Sequence, residues 1–190
     1  ARRGVAGGLI VNLLDIAPTL VAAGVDPSQV EVPEGRITHQ ALLAIWTDAA
    51  ARSGDTAFGI HAAERIRPGA FDVVDYTFRL SATLGEGLER LVRYHRIIHD
   101  TAPIELRVER DIASLNHALP KETGAVPRQI AEVIVSTWLG MARQATGQDF
   151  APRQVNFRHP APEDLDSLCP FNVGCETVLV LPGIRHPFRS

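Results

Sequence analysis

Cysteine is scarce: the 190 residues contain two, Cys169 and Cys175, without a partner cluster of Cys or His at zinc-ligand spacing. That excludes a disulfide-stapled scaffold and a zinc finger, and it points to a reducing, cytoplasmic setting. Long apolar runs are missing too. Stretches such as 9–11 and 178–181 fall far short of the roughly 20 residues a membrane span needs, so no membrane partner is expected. Arg2 and Arg3 ahead of residues 4–14 resemble a secretory signal only superficially, because Asn12 and Asp15 interrupt the apolar stretch and no clear cleavage site follows. The segment reads as a first helix.

Excess positive charge is also absent. With 19 Lys and Arg against 22 Asp and Glu, the net charge is -3 and the pI about 6.2. Duplex DNA is held by Lys and Arg that neutralise phosphates, so this segment alone is expected to bind DNA weakly or not at all. The basic residues over 90–99 are flanked by Glu86, Glu89 and Asp100 and read as a solvated helix face. Catalytic signatures are lacking as well: there is no G-x-S-x-G elbow, and neither cysteine sits in a nucleophile motif. Gly85-Glu86-Gly87 opens a helix without the third glycine or preceding strand of a dinucleotide fingerprint, so these glycines read as packing or capping features. No catalytic residue and no cofactor are expected.

What is present is an ordinary globular composition, 45% hydrophobic and 22% charged, with enough chain for one sizeable core or two small ones. Ile10, Leu13, Leu14, Ala17, Leu20 and Val21 recur at helical steps until Gly24 and Asp26-Pro27. Thr38 is an N-cap for a second helix that carries Leu42, Ile45, Trp46 and Ala49 inward and stops at Gly54. Asp55 caps a third over 56–65, and Phe71, Val74 and Phe78 mark a fourth. Thr83 to Glu86 fit a capping box, and the helix they open runs to about Ile98 with Leu84, Leu88, Leu91, Val92, His95 and Ile98 buried.

After Pro103 the period becomes two: Ile104, Leu106 and Val108 alternate with charged residues, Asp111 marks a turn, and a second strand over 113–119 completes an antiparallel hairpin. A long helix starts at Pro127 and carries Ile130, Ile134, Trp138 and Met141 inward to about Gly147. A strand with Val155, Phe157 and His159 on one face, a short helix over 163–168 and a last strand over 177–181 follow. The expected class is α+β: N-terminal helices packed on one face of a small, mainly antiparallel sheet built from the C-terminal half, in a single domain over 1–190.

Few residues suggest chemistry. His95 and His99 are four apart on one helix and their rings can point at a common ion, but no acidic residue or further His stands beside them in sequence. His99 is accounted for by the macrodipole at a helix C-terminus, so no metal ligand is assigned. His95 lies on the apolar face, either as a hydrogen-bonded core residue or as a polar group facing a ligand cavity. His117 and His159 are similar cases on strands. Trp46, Tyr76, Tyr94 and Trp138 are aromatic residues with a polar tip, able to serve as core or as the wall of a pocket.

The stretch 41–55 (ALLAIWTDAAARSGD), then Phe58-Gly59-Ile60-His61 and 66–71 (IRPGAF), resembles the arabinose-binding-like N-terminal domain found in one branch of AraC/XylS-type transcription regulators. Tyr76 and 81–96 (SATLGEGLERLVRYHR) fit that family's central helix, and 145–152 (ATGQDFAP) with 155–162 (VNFRHPAP) fit the strand after its last long helix. The resemblance runs from about Val11 to Leu181. The family usually has several more residues between the equivalents of Leu168 and Cys169, and it continues differently after Leu181.

This resemblance implies a small-molecule-sensing, dimerising domain of a cytoplasmic regulator and no enzyme. DNA contacts would come from a C-terminal pair of helix-turn-helix motifs that this chain does not contain. The expected effector is apolar or aromatic and enters a cavity between the helices and the sheet, with Trp46, Tyr76, His95 and Trp138 as wall or contact residues. A homodimer is expected, paired through exposed faces of the helices over 84–100 or 125–147. The alternative functions are a stand-alone small-molecule-binding module and an unrecognised enzyme.

Overall fold

Thr38 opens helix α2 (His39–Ser53) with an extended backbone and a hydroxyl that accepts from the Ala41 N–H at 3.1 Å, one of the donors a helix start leaves without a carbonyl. Gly54 closes it at φ 63°, the left-handed conformation that glycine adopts without steric cost. Between them Leu42, Ile45, Trp46 and Ala49 are buried, as their spacing predicts. The computed structural model containing this helix describes residues 5–6, 17–28, 36–100, 103–117, 127–159, 171–173, 177–185 and 187–188. The first part of the expected helix from Ile10, the expected helix over 163–168 and both cysteines lie outside the described residues.

Ahead of α2 stand α1 (Ala17–Ala22) and a two-stranded antiparallel pair, β1 (Val5–Ala6) with β2 (Arg36–Ile37). Leu20 is buried, but Val21, expected to face inward, is exposed. One residue turns a helical side chain by about 100°, so with Thr19 and Leu20 both buried, Val21 points away. Helix α3 (Phe58–Glu64) starts later than expected. Asp55 accepts from the Ala57 N–H at 2.9 Å and meets His61 Nδ1 at 2.7 Å, so it shapes the turn before the helix instead of capping it. In α4 (Asp72–Arg79), Val74, Asp75 and Phe78 are buried, and Asp75 accepts from Arg79 Nε at 2.7 Å and from the Gly69 N–H.

The capping box of α5 (Leu84–Ile98) forms with a shift: Thr83 Oγ1 accepts from the Glu86 N–H at 3.3 Å, while the Glu86 carboxylate accepts from the N–H of Ala82 at 2.8 Å. Helix α6 (Arg128–Thr146) follows Pro127 and ends at Gly147 with φ 65°. Strands β3 (Ile104–Glu109) and β4 (Ile112–His117) make the expected hairpin; Val108, on its expected inward face, is exposed on this outermost strand. With β5 (Gln154–Phe157), β6 (Phe171–Val173) and β7 (Thr177–Pro182) they form one sheet of order β3-β4-β7-β5-β6, antiparallel except for the β5–β6 pair. His159 lies just past β5, half-buried and in ring contact with Phe157.

The fold is α+β with helices on one face of the sheet. Alternate residues Ala113, Leu115 and His117 of β4 and Leu179 and Leu181 of β7 are buried, and they pack with Leu84, Leu88 and Leu91 of α5 and with Trp138, Met141 and Ala142 of α6. A second apolar cluster joins Leu20, α2, Phe58 and Ala62 to Ile130 and Val133 of α6. Helix α6 is thus shared by both clusters, and what positions the site lies along it. Among the described residues no helix is long and apolar enough to cross a membrane.

Candidate functional site

His95 lies in the last turn of α5 and His99 is the extended residue that caps its C-terminus; the His99 N–H donates to the His95 carbonyl at 2.9 Å, and the two rings meet edge to face at 6.2 Å. Arg36, from β2, donates from Nη1 to the Ile97 carbonyl at 3.0 Å, a cation placed where the helix has carbonyls to spare. Because β2 leads directly into α2, the same contact brings His39, the first residue of α2, onto His99: Nδ1 and Nε2 are 3.0 Å apart and the rings stack at 5.0 Å. From the other side comes His117, at the end of β4, with ring centroids 6.0 Å from His95 and 6.5 Å from His99. Ring nitrogens of His95, His99 and His117 all lie within 4.8 Å of one another, so these three residues can hold a metal ion.

Burial controls the charge of this cluster. It is the main cause that pushes His117 down to about 3, with nearby His95, His99 and His39 adding to it. It likewise lowers His99 to about 4, helped by His39, His95 and Arg36 and opposed by Asp100. His39 is lowered by burial as well. At neutral pH His99 and His117 are therefore uncharged, the form in which histidine ligates metals. His117 is 1% exposed, and among the described residues neither of its ring nitrogens has a hydrogen-bond partner. A neutral imidazole carries one N–H, and leaving such a donor buried and unmade costs about 1–3 kcal/mol.

His95, His99 and His117 form one wall of a cavity of about 100 Å³ at the seam between the two apolar clusters. Leu42 and Trp46 of α2, Val74 of α4, Leu91 of α5 and Val133 and Trp138 of α6 supply much of the remaining wall. Lining residues that carry a polar atom are few: the three histidines, Thr137 and the two tryptophans. Trp138 meets His117 edge to face at 5.8 Å, and Trp46 meets Phe58 in the same manner at 5.7 Å. The cavity lies mostly among helices, with His117 as the sheet's contribution, where the sequence had suggested a space between helices and sheet.

Of the four residues expected at a ligand site, Trp46, His95 and Trp138 are brought together in this wall. Tyr76 is not: it is 58% exposed and its hydroxyl sits beside Gly69. Two residues beyond the inward-facing Val74, it is turned by about 200° around α4. Thr137 and Val133 join the wall beyond the four expected residues, where the 3.6-residue period of α6 places them beside Ile130 and Ile134. His39 and the meeting of His99 with His117 depend on three separate segments and have no signal in spacing.

Residues 14–169 match the family model described as the arabinose-binding domain of AraC transcription regulator, N-terminal. A curated relative, the ornithine utilization regulator of Pseudomonas aeruginosa, is 26% identical over 141 residues, which cover 74% of this chain and 42% of that protein. Among solved structures, the transcriptional regulator CdpR from Pseudomonas aeruginosa has the same fold, with a TM-score of 0.58 at 15% identity over 88% of this chain and 53% of that one. This chain therefore spans about half the length, or less, of these relatives. It belongs to the family of N-terminal arabinose-binding domains of AraC-type transcription regulators.

Proposed function

We propose that this chain is the sensing domain of a transcription regulator and that its effector is a small apolar or aromatic molecule held in the cavity between α2, α5 and α6. The observation that carries this reading is the cavity: an apolar wall with a few polar groups on one side is the usual make-up of a small-molecule site. Its volume of about 100 Å³ is on the scale of the roughly 150 Å³ apolar cavities that accept benzene. A longer effector has to displace side chains, and Ile66 and Phe71, on the connection between α3 and α4, border the space. Trp46 and Trp138 supply flat apolar contact and His95 a polar one.

In the whole regulator, effector binding would shift the populations of two arrangements of this domain and a C-terminal helix-turn-helix domain, the latter supplying the DNA contacts that a net charge of -3 disfavours here. A homodimer would match repeated DNA half-sites. The similarity to a regulator of ornithine utilization supports the regulatory role and leaves the effector to be found by experiment.

A thermal-shift screen of metabolites on the purified chain tests the sensing role, since a ligand at 100 times its dissociation constant adds about 2.7 kcal/mol of stability. Calorimetry on any hit should then show binding weakened about tenfold or more in Trp46→Leu, the ~1.4 kcal/mol equivalent of lost aromatic contact, and unchanged in Tyr76→Phe. Equal affinity in the wild type and Trp46→Leu would remove this cavity as the site. A downstream reading frame without helix-turn-helix helices would overturn the DNA-binding part, and light scattering that returns only monomer at all concentrations would overturn the dimer.

A further inference from the structure

We propose that His95, His99 and His117 form a binding site for a divalent transition-metal ion in the wall of the cavity, with a fourth coordination position facing the cavity. This goes beyond the sensing of an organic effector and stands or falls without one.

The geometry is close to what such an ion needs. Zinc–imidazole bonds of about 2.0–2.1 Å in a tetrahedron set ligand nitrogens about 3.3 Å apart. The three rings already offer nitrogens within 4.8 Å of one another, so each has to move inward by less than about 1 Å. His95 is held in the last turn of α5 and His99 at its C-terminal cap, tied by the His99 N–H to the His95 carbonyl, and His117 is fixed by the pairing of β4 with β3 and β7 on either side. His39 contacts one ring nitrogen of His99, the kind of outer contact that commonly orients a ligating imidazole, and it takes a positioning role.

His117 supplies the independent observation. It is almost fully buried, borders the cavity, and has no hydrogen-bond partner for either ring nitrogen among the described residues. An ion bound by one nitrogen satisfies a lone pair that nothing else in the described structure meets. Burial already keeps His99 and His117 in the neutral, ligating form at pH 7. Three imidazoles without a thiolate or carboxylate suit zinc, copper, nickel or cobalt, and do not suit magnesium or calcium, which take oxygen ligands. With three neutral ligands the ion keeps its double positive charge, so the open position favours an anionic donor from solvent or from a small molecule.

The test is titration of the purified 190-residue chain, stripped with chelator, first with Co²⁺ followed by visible absorption and then with Zn²⁺ by calorimetry. The expected result is saturable 1:1 uptake, a cobalt spectrum of nitrogen and oxygen ligands, and displacement of Co²⁺ by Zn²⁺. His99→Gln and His117→Gln, checked for folding by circular dichroism, should each weaken zinc binding at least tenfold. His61→Ala, at an exposed position of α3, should leave it unchanged. His39→Ala should weaken it less than either ligand variant and should be rescued by His39→Gln, which can still hydrogen-bond His99. Should the ligand variants fail to fold, the wild-type cobalt spectrum still decides. Absence of 1:1 uptake, thiolate charge-transfer bands that move the ion to Cys169 and Cys175, or wild-type affinity retained in both folded glutamine variants would overturn the proposal.

Discussion

Gly59 on α3 lies so close to Gln129 on α6 that a β-carbon added to the glycine would sit 2.4 Å from the Gln129 carbonyl oxygen. The same added carbon would come within 2.9 Å of Glu132 Cβ, so the two helices meet backbone to backbone at this point. A carbonyl in the first turn of a long helix has little freedom to retreat. Gly59→Ala is therefore expected to destabilise the chain by about 1–3 kcal/mol, the usual cost of overpacking, in spite of the better helix propensity of alanine. Urea denaturation reads this as a lower midpoint at unchanged slope. A variant at least as stable as the wild type would show that α3 can move off α6 freely.

Glu132, one turn further along α6, is fully buried, and among the described residues its carboxylate oxygens accept no hydrogen bond; Arg128 Nη1 is 3.8 Å away. Burial raises its pKa above the ordinary 4.5 and Asp55 adds to the rise, while Arg128 opposes it. A carboxyl whose folded pKa is raised adds stability that is fully present below the unfolded pKa and is lost as pH climbs through the folded one, because the folded state then binds more protons than the unfolded. Glu132→Gln removes this dependence. Its stability relative to the wild type should accordingly rise as pH is taken from below 4.5 to 7. Paired denaturation curves at the two pH values cancel the other titrating groups, and a difference that is flat or falls with pH would show the carboxylate to be well satisfied. Arg128→Met should steepen the wild-type trend.

Thr83 and Thr38 are the two helix caps read from sequence that the structure reproduces atom for atom on the threonine side. Replacement of either by alanine should cost about 1 kcal/mol, within the range of about 0.5–2 for lost N-caps. The two should be additive, since α2 and α5 start in separate places. Glu86→Gln should keep much of the box at Thr83, because an amide oxygen can still accept from the Ala82 N–H, although the ion pair with Arg90 is lost. Thermal melts of the single and double variants check this, and a double variant no less stable than one single would show the caps to be coupled.

Legibility followed the range of the interactions. Helices α2, α5 and α6 could be read because caps, period and stop signals are local and agree with one another. The hairpin of β3 and β4 was equally plain, since its alternation and turn are contiguous. The order of the sheet was not: β7 inserts between β4 and β5, and β6 runs parallel to β5, pairings between strands far apart in sequence that no period encodes. In the site, Trp46, His95 and Trp138 were accessible because they lie on apolar helical faces. Tyr76 was misplaced although the same rule, applied from Val74 and Phe78, turns it outward. Glu132 was hidden because a glutamate in an amphipathic helix reads as solvent-facing, and the histidine cluster because His39 and His117 reach α5 only through tertiary folding.

Val133 faces the cavity from α6 and is itself almost fully buried, so enlarging it separates two descriptions of that space. In a packed core, an added methylene forces neighbours off their rotamers and costs about 1–3 kcal/mol. Beside a void of about 100 Å³ the same methylene has somewhere to go and gains up to about 0.8 kcal/mol of burial. Val133→Ile is therefore expected to stabilise the chain by a few tenths to about 0.8 kcal/mol while weakening the binding of any cavity ligand found by screening. Stability and function pull apart in this way where a site is kept open for a ligand. Denaturation and calorimetry on the one variant read both effects, and a loss of stability would show that the wall at Val133 is already close-packed and that the ligand space lies nearer the histidines.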